Sequence, residues 1–121
     1  MTDRKLNLTM LCDYYELTMG NGYFDHGMGD KITYFDVFYR QNPDNGGFAI
    51  AAGLEQAIEY IKDLHLSQED VDYLRSTRLF DEDFLEYLLN FRFSGDIYAI
   101  PEGTVVFPRE PLVKVIAPIM E

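Results

Sequence analysis

The chain has 121 residues, 47% of them apolar and 15% aromatic, and its 21 acids against 10 bases give a formal charge of −11. This length allows one domain with its own core, and the apolar content excludes a disordered chain. The acidic surplus excludes a non-specific nucleic-acid binder and a protein that docks on anionic membrane, because like charges repel.

The lone Cys12 cannot close an internal disulfide, and no Cys/His cluster is spaced for zinc. The opening Met1-Thr2-Asp3-Arg4-Lys5 lacks the apolar core of a signal peptide, and no apolar run approaches the roughly 18 residues of a membrane span. A soluble, cytoplasmic protein is expected, with no membrane or nucleic-acid partner.

Asp13 followed by Glu16 has the spacing of a capping box and predicts a helix from Asp13 to about Phe24, weakened towards its end by Gly20 and Gly22. Gly27 to Asp30 reads as a turn. Ile32 to Arg40, rich in β-branched and aromatic residues, is the strongest strand candidate. Both of its faces are largely apolar, which predicts an inner strand of a mixed sheet, covered on each side. Asn42 to Gly47 is a loop, and Phe48 to Ala52 a second short strand.

Leu54, Ala57, Ile58, Ile61 and Leu64 then recur at helical spacing. Ser67 with Asp70 resembles a second capping box, opening a helix with Val71 and Leu74 inward. Asp81 opens a third helix, with Phe84, Leu85, Leu88 and Leu89 as its stripe. After Gly95 the pattern switches to short strands at Ile97 to Ile100, Thr104 to Phe107 and Leu112 to Ala117, punctuated by prolines. The class expected is α+β, in a single unit over residues 1–121.

Catalytic machinery is sparse. There is no P-loop, dinucleotide fingerprint or nucleophile elbow. His26 and His65 read as structural or solvated. The acids Glu69-Asp70 and Asp81-Glu82-Asp83 fall at helix starts, where they favour exposed N–H groups over a metal. Gly46-Gly47 lacks the Lys and Ser/Thr of a phosphate cradle. No catalytic residue and no metal ligand is assigned. Tyr15, in the first turn of the opening helix, offers a ring face, although a tyrosine there also serves packing. Asp13 either caps the helix or orients a substrate. Arg40, closing the main strand, holds either a phosphate oxygen or a neighbouring acid.

Taken in order, Leu11-Cys12-Asp13-Tyr14-Tyr15-Glu16-Leu17-Thr18-Met19, Phe35-Asp36-Val37-Phe38-Tyr39-Arg40, Gly46-Gly47-Phe48-Ala49-Ile50-Ala51-Ala52-Gly53-Leu54, Phe91-Arg92-Phe93-Ser94-Gly95-Asp96-Ile97-Tyr98 and Pro101-Glu102-Gly103-Thr104-Val105-Val106-Phe107-Pro108 resemble the N-terminal region of nicotinate phosphoribosyltransferases. The resemblance runs from about Leu6 to Glu121 and departs from the common pattern at Cys12 and Tyr14. It implies the N-terminal mixed α/β domain of a type II phosphoribosyltransferase, a fragment without the barrel-like catalytic domain. The whole enzyme would condense nicotinate with 5-phosphoribosyl pyrophosphate to nicotinate mononucleotide and pyrophosphate in NAD biosynthesis. ATP coupling and Mg²⁺ are implied for that enzyme, neither held wholly by this fragment.

The same resemblance makes Tyr15 the residue that stacks on the nicotinate ring and Arg40 a contact to phosphate or pyrophosphate. It gives as partners the missing barrel and a second subunit, whose site this domain would complete in a head-to-tail homodimer. The fragment alone is expected to be inactive. Nicotinamide and quinolinate phosphoribosyltransferases share the architecture and stay open as alternatives. So does a non-catalytic dimerisation or docking module, which should expose an apolar patch at the first helix or at Val113 to Met120.

Overall fold

A computed structural model describes residues 7–121; the opening Met1 to Lys5, and Leu6 where the resemblance begins, lie outside the described residues. Helix α1 covers Tyr14–Asp25, strand β1 Ile32–Val37, β2 Ala49–Ile50, α2 Leu54–Asp63, α3 Gln68–Thr77, α4 Glu82–Asn90, β3 Asp96–Ala99, β4 Val105–Val106 and β5 Val113–Pro118. Helices and strands segregate as an α+β chain should.

The core is built where the helical stripes meet. Val71 and Leu74 of α3 pack with Phe84, Leu85 and Leu88 of α4 and with Leu66. Each follows the three-to-four-residue spacing that carries side chains to one helix face. The Ser67 capping box forms as expected: the Ser67 N–H donates to Asp70 Oδ2 at 2.8 Å, and the Asp70 N–H to Ser67 Oγ at 3.2 Å. Asp81 behaves differently. Its carboxylate makes no cap bond to α4 and instead accepts from Asn21 Nδ2 of α1 at 2.8 Å, so it ties two helices together.

Helix α1 lies on α4 through rings, with Phe24 5.8 Å from Phe84 and Tyr14 5.8 Å from Phe80. Gly20 serves this contact: a Cβ there would stand 3.4 Å from Phe84 Cζ. The residue expected to weaken the helix is the one that lets it approach its neighbour.

Two expectations for the main strand are corrected. The sheet is antiparallel, in the order β1-β5-β3, so β5 is central and β1 lies at an edge. Nor is β1 covered on both faces, since Ile32, Tyr34, Phe35 and Val37 are each more than half exposed. An apolar run reads as an inner strand only if something covers it, and the chain described supplies a helical layer over too little of the sheet. The strand also ends at Val37, short of Arg40. Val37 pairs with Val113, and beyond this pair Pro111 has no N–H to continue the ladder.

Register is fixed across β1 and β5 by Asp36 opposite Lys114, joined at 2.7 Å. The smaller sheet pairs β2 with β4. Helix α2 follows β2, anchored where the Glu55 N–H donates to Glu102 Oε1 at 3.0 Å. None of its residues is buried, despite the apolar stripe.

Candidate functional site

A groove of about 530 Å³ opens between α1, α2 and the sheet. Tyr15, Met19 and Tyr23 of α1 form one wall, Tyr60 of α2 and Leu64 at its C-cap another. Thr33, Phe35, Val115 and Ala117 supply the sheet side, and Phe84 and Leu88 the side of α4. The size and apolar lining suit a small flat molecule.

Tyr15 and Tyr14 diverge because successive helical residues point about 100° apart. Tyr14 turns to Phe80 and the core, while Tyr15 is 59% exposed and lines the groove. Asp13 is the N-cap of α1. Its N–H donates to Glu16 Oε2 at 3.2 Å, its carbonyl accepts the Glu16 N–H at 3.0 Å, and its carboxylate faces that same N–H in the capping box. The arrangement supports the capping reading of Asp13 and leaves Tyr15 as the ring on the groove wall.

Beside them sits Cys12, whose thiol is pushed up by partial burial and then by the Glu16 and Asp13 carboxylates, so it stays protonated at neutral pH. Tyr60 is held neutral likewise, by burial first and then by Cys12 and Glu16. This end of the groove therefore offers neutral donors and ring faces, with the negative charge of Glu16 alongside. Among the described residues, no basic side chain lines the groove.

Arg40 lies elsewhere. It follows Tyr39, whose hydroxyl is 2.9 Å from both Val106 O and Asn42 Oδ1, its single proton serving one of them. Arg40 is exposed, and among the described residues it forms no ion pair, which leaves the salt-bridge alternative without support. Tyr15 and Asp13 thus share one end of α1, but only Tyr15 lines the groove, and Arg40 stands outside it. Tyr60 and Phe35 were missed in the sequence reading. Tyr60 stands outside the stripe of Leu54, Ala57, Ile58, Ile61 and Leu64, so the helical spacing gave no signal for it.

Both histidines are engaged with backbone: His26 Nδ1 with Gly22 O at 2.8 Å and His65 Nδ1 with Asp63 O at 2.5 Å. Among the described residues no three His, Cys, Asp or Glu side chains converge as a metal site would require, and no helix is long and apolar enough to cross a membrane.

Residues 10–121 match the nicotinate phosphoribosyltransferase N-terminal domain family. The chain belongs to that family. It is 39% identical over 112 residues to a nicotinate phosphoribosyltransferase of Mycobacterium tuberculosis, covering 93% of this chain and 24% of that protein. It is 37% identical over 115 residues to the Bacillus subtilis nicotinate phosphoribosyltransferase, covering 95% of this chain and 24% of the relative. In structure it resembles human nicotinic acid phosphoribosyltransferase with a TM-score of 0.81 and 33% identity, over 90% of this chain and 22% of the human one. The chain thus spans about a quarter of the length of these relatives, and the α+β architecture is that of their N-terminal region.

Proposed function

We propose that this domain serves an enzyme that joins nicotinate to 5-phosphoribosyl pyrophosphate, releasing pyrophosphate and forming nicotinate mononucleotide, with ATP hydrolysis coupled. Family membership supports the reaction class. The observation that carries this chain's part is Tyr15, exposed on the wall of an apolar groove and free of ring packing to the core. A phenol face there stacks on an electron-poor pyridine ring. Arg40, unpaired and outside the groove, holds a phosphate or pyrophosphate oxygen, and Asp13 fixes the start of the helix that presents Tyr15.

In this reading Tyr15 and Arg40 need not converge within one chain, because the site is completed by a barrel domain and by a second subunit. Catalysis in such a site is positioning of the two substrates and stabilisation of the leaving pyrophosphate. No Mg²⁺ or ATP contact is assigned to this chain. The exposed apolar residues of β1, β2 and β4, with Tyr14, Tyr15 and Met19 of α1, favour a companion reading of the same domain as a docking surface for those partners. Val113 to Met120, where such a patch was also expected, has no exposed residue because β5 is the central strand.

The test is nicotinate-dependent pyrophosphate release with phosphoribosyl pyrophosphate and ATP. Residues 1–121 alone should show none, whereas a longer protein carrying them should turn over, and with Tyr15→Ala should turn over more slowly at low nicotinate. Turnover by the 121-residue chain, or indifference to Tyr15→Ala, would overturn the assignment. Faster turnover with nicotinamide or quinolinate would move it to those substrates.

A further inference from the structure

The Tyr39 carbonyl accepts the Arg109 N–H at 2.8 Å, so the backbone leading into Arg40 and the turn carrying Arg109 are fastened side by side. Both arginines are exposed. Among the described residues neither takes part in an ion pair, on a chain whose formal charge is −11. Two exposed cationic residues whose backbones lie this close gain from an anion placed between their side chains.

Arg109 also holds a left-handed backbone, φ +69°, where a Cβ is disfavoured and Gly or Asn would relax the turn. The acid of the same turn, Glu110, is folded back on it, its Oε2 accepting the Phe107 N–H at 3.2 Å. Tyr39, below the pair, is fixed by its hydroxyl contacts to Val106 and Asn42, which ties the Arg40 backbone to β4.

We propose that Arg40 and Arg109 together form a clamp for a diphosphate group, with Arg109 a binding residue in its own right. Two forked guanidinium groups match the several oxygens of a diphosphate better than the single phosphorus of orthophosphate. The proposal rests on the reading of Arg40 as a phosphate contact and extends it to a second residue from a distant part of the sequence.

The test is calorimetric titration of the chain with inorganic pyrophosphate, and separately with inorganic orthophosphate. Arg109→Asn removes the charge while suiting the left-handed backbone, so folding is preserved. Arg109→Ala would confound charge with backbone strain, and Arg109→Lys keeps the charge without the fork. Arg78→Ala serves as a control, because Arg78 is likewise exposed and left-handed but caps the end of α3.

Pyrophosphate should bind more tightly than orthophosphate. Arg40→Ala and Arg109→Asn should each weaken it about tenfold, Arg109→Lys less, and Arg78→Ala not at all. Weakening by Arg40→Ala alone would remove Arg109 and leave the Arg40 contact of the proposed function standing. Weakening by Arg109→Asn alone would also overturn the clamp. Indifference to both variants, or absence of pyrophosphate binding, would remove the clamp and the Arg40 contact together. An equal loss with Arg78→Ala would mean diffuse charge attraction and overturn the proposal.

Discussion

Glu121 closes on Ser94 through two hydrogen bonds and on Gly95 through a third: its Oε1 accepts the Ser94 hydroxyl at 2.6 Å, and its Oε2 accepts the N–H groups of Ser94 at 2.7 Å and Gly95 at 2.9 Å. The carboxylate joins the segment leaving β5 to the loop between α4 and β3. Bonds to an ionised acceptor contribute more than neutral ones, on the order of 1.5–3 kcal/mol each when shielded. Solvent reduces that here.

Glu121→Ala should therefore lower stability by about 1–2 kcal/mol, seen as a fall in melting temperature of roughly 5–10 °C for a domain of this size. Glu121→Gln, keeping one acceptor oxygen, should fall between. A melting curve unchanged by Glu121→Ala would show that water replaces the carboxylate without cost.

Gly95 is bound by the same latch and has no room for a side chain. A Cβ there would lie 2.4 Å from the Ala117 Cβ and 2.8 Å from Ile116 O. Because both atoms belong to the central strand, neither can move aside cheaply. Gly95→Ala should destabilise by about 3 kcal/mol in urea unfolding, at the upper end for overpacking. A loss under about 1 kcal/mol would mean that β3 and β5 separate readily.

Cys12 gives a pH prediction with a definite sign. Its thiol is raised above the ordinary range of a free thiol by burial, Glu16 and Asp13, in that order. The folded state therefore binds the proton more tightly than the unfolded chain. The stability this contributes is complete below the unfolded value and is lost as pH rises through the folded one. Alkylation of the native chain by iodoacetamide should be slower at pH 8 than for a free thiol, with a midpoint above that of the urea-unfolded chain. Glu16→Gln should lower that midpoint. A midpoint at or below that of the urea-unfolded chain would contradict the geometry.

Tyr15 should behave as a binding residue that stability does not need. It is 59% exposed, so Tyr15→Ala should shift unfolding by no more than about 0.5 kcal/mol. In turnover by a longer protein carrying this domain, the lost ring face should raise the nicotinate KM about three- to tenfold, while Tyr15→Phe keeps the stack. An effect on melting as large as on KM would make Tyr15 a packing residue after all.

Much of the fold was legible locally. The Ser67–Asp70 cap and the stripe Phe84, Leu85, Leu88 depend on contacts within one or two turns, which spacing encodes directly. The family, too, is carried by motif order. By itself, the sequence determined the helical elements, the α+β class and the kinship. It could not decide that β5, rather than β1, is the central strand, or that Asp81 reaches across to Asn21. Nor could it place Tyr60 in one groove with Tyr15 or Arg109 against Tyr39. These pairings join residues roughly 45 to 80 positions apart. They follow from which surfaces pack together in three dimensions, and no local periodicity records that.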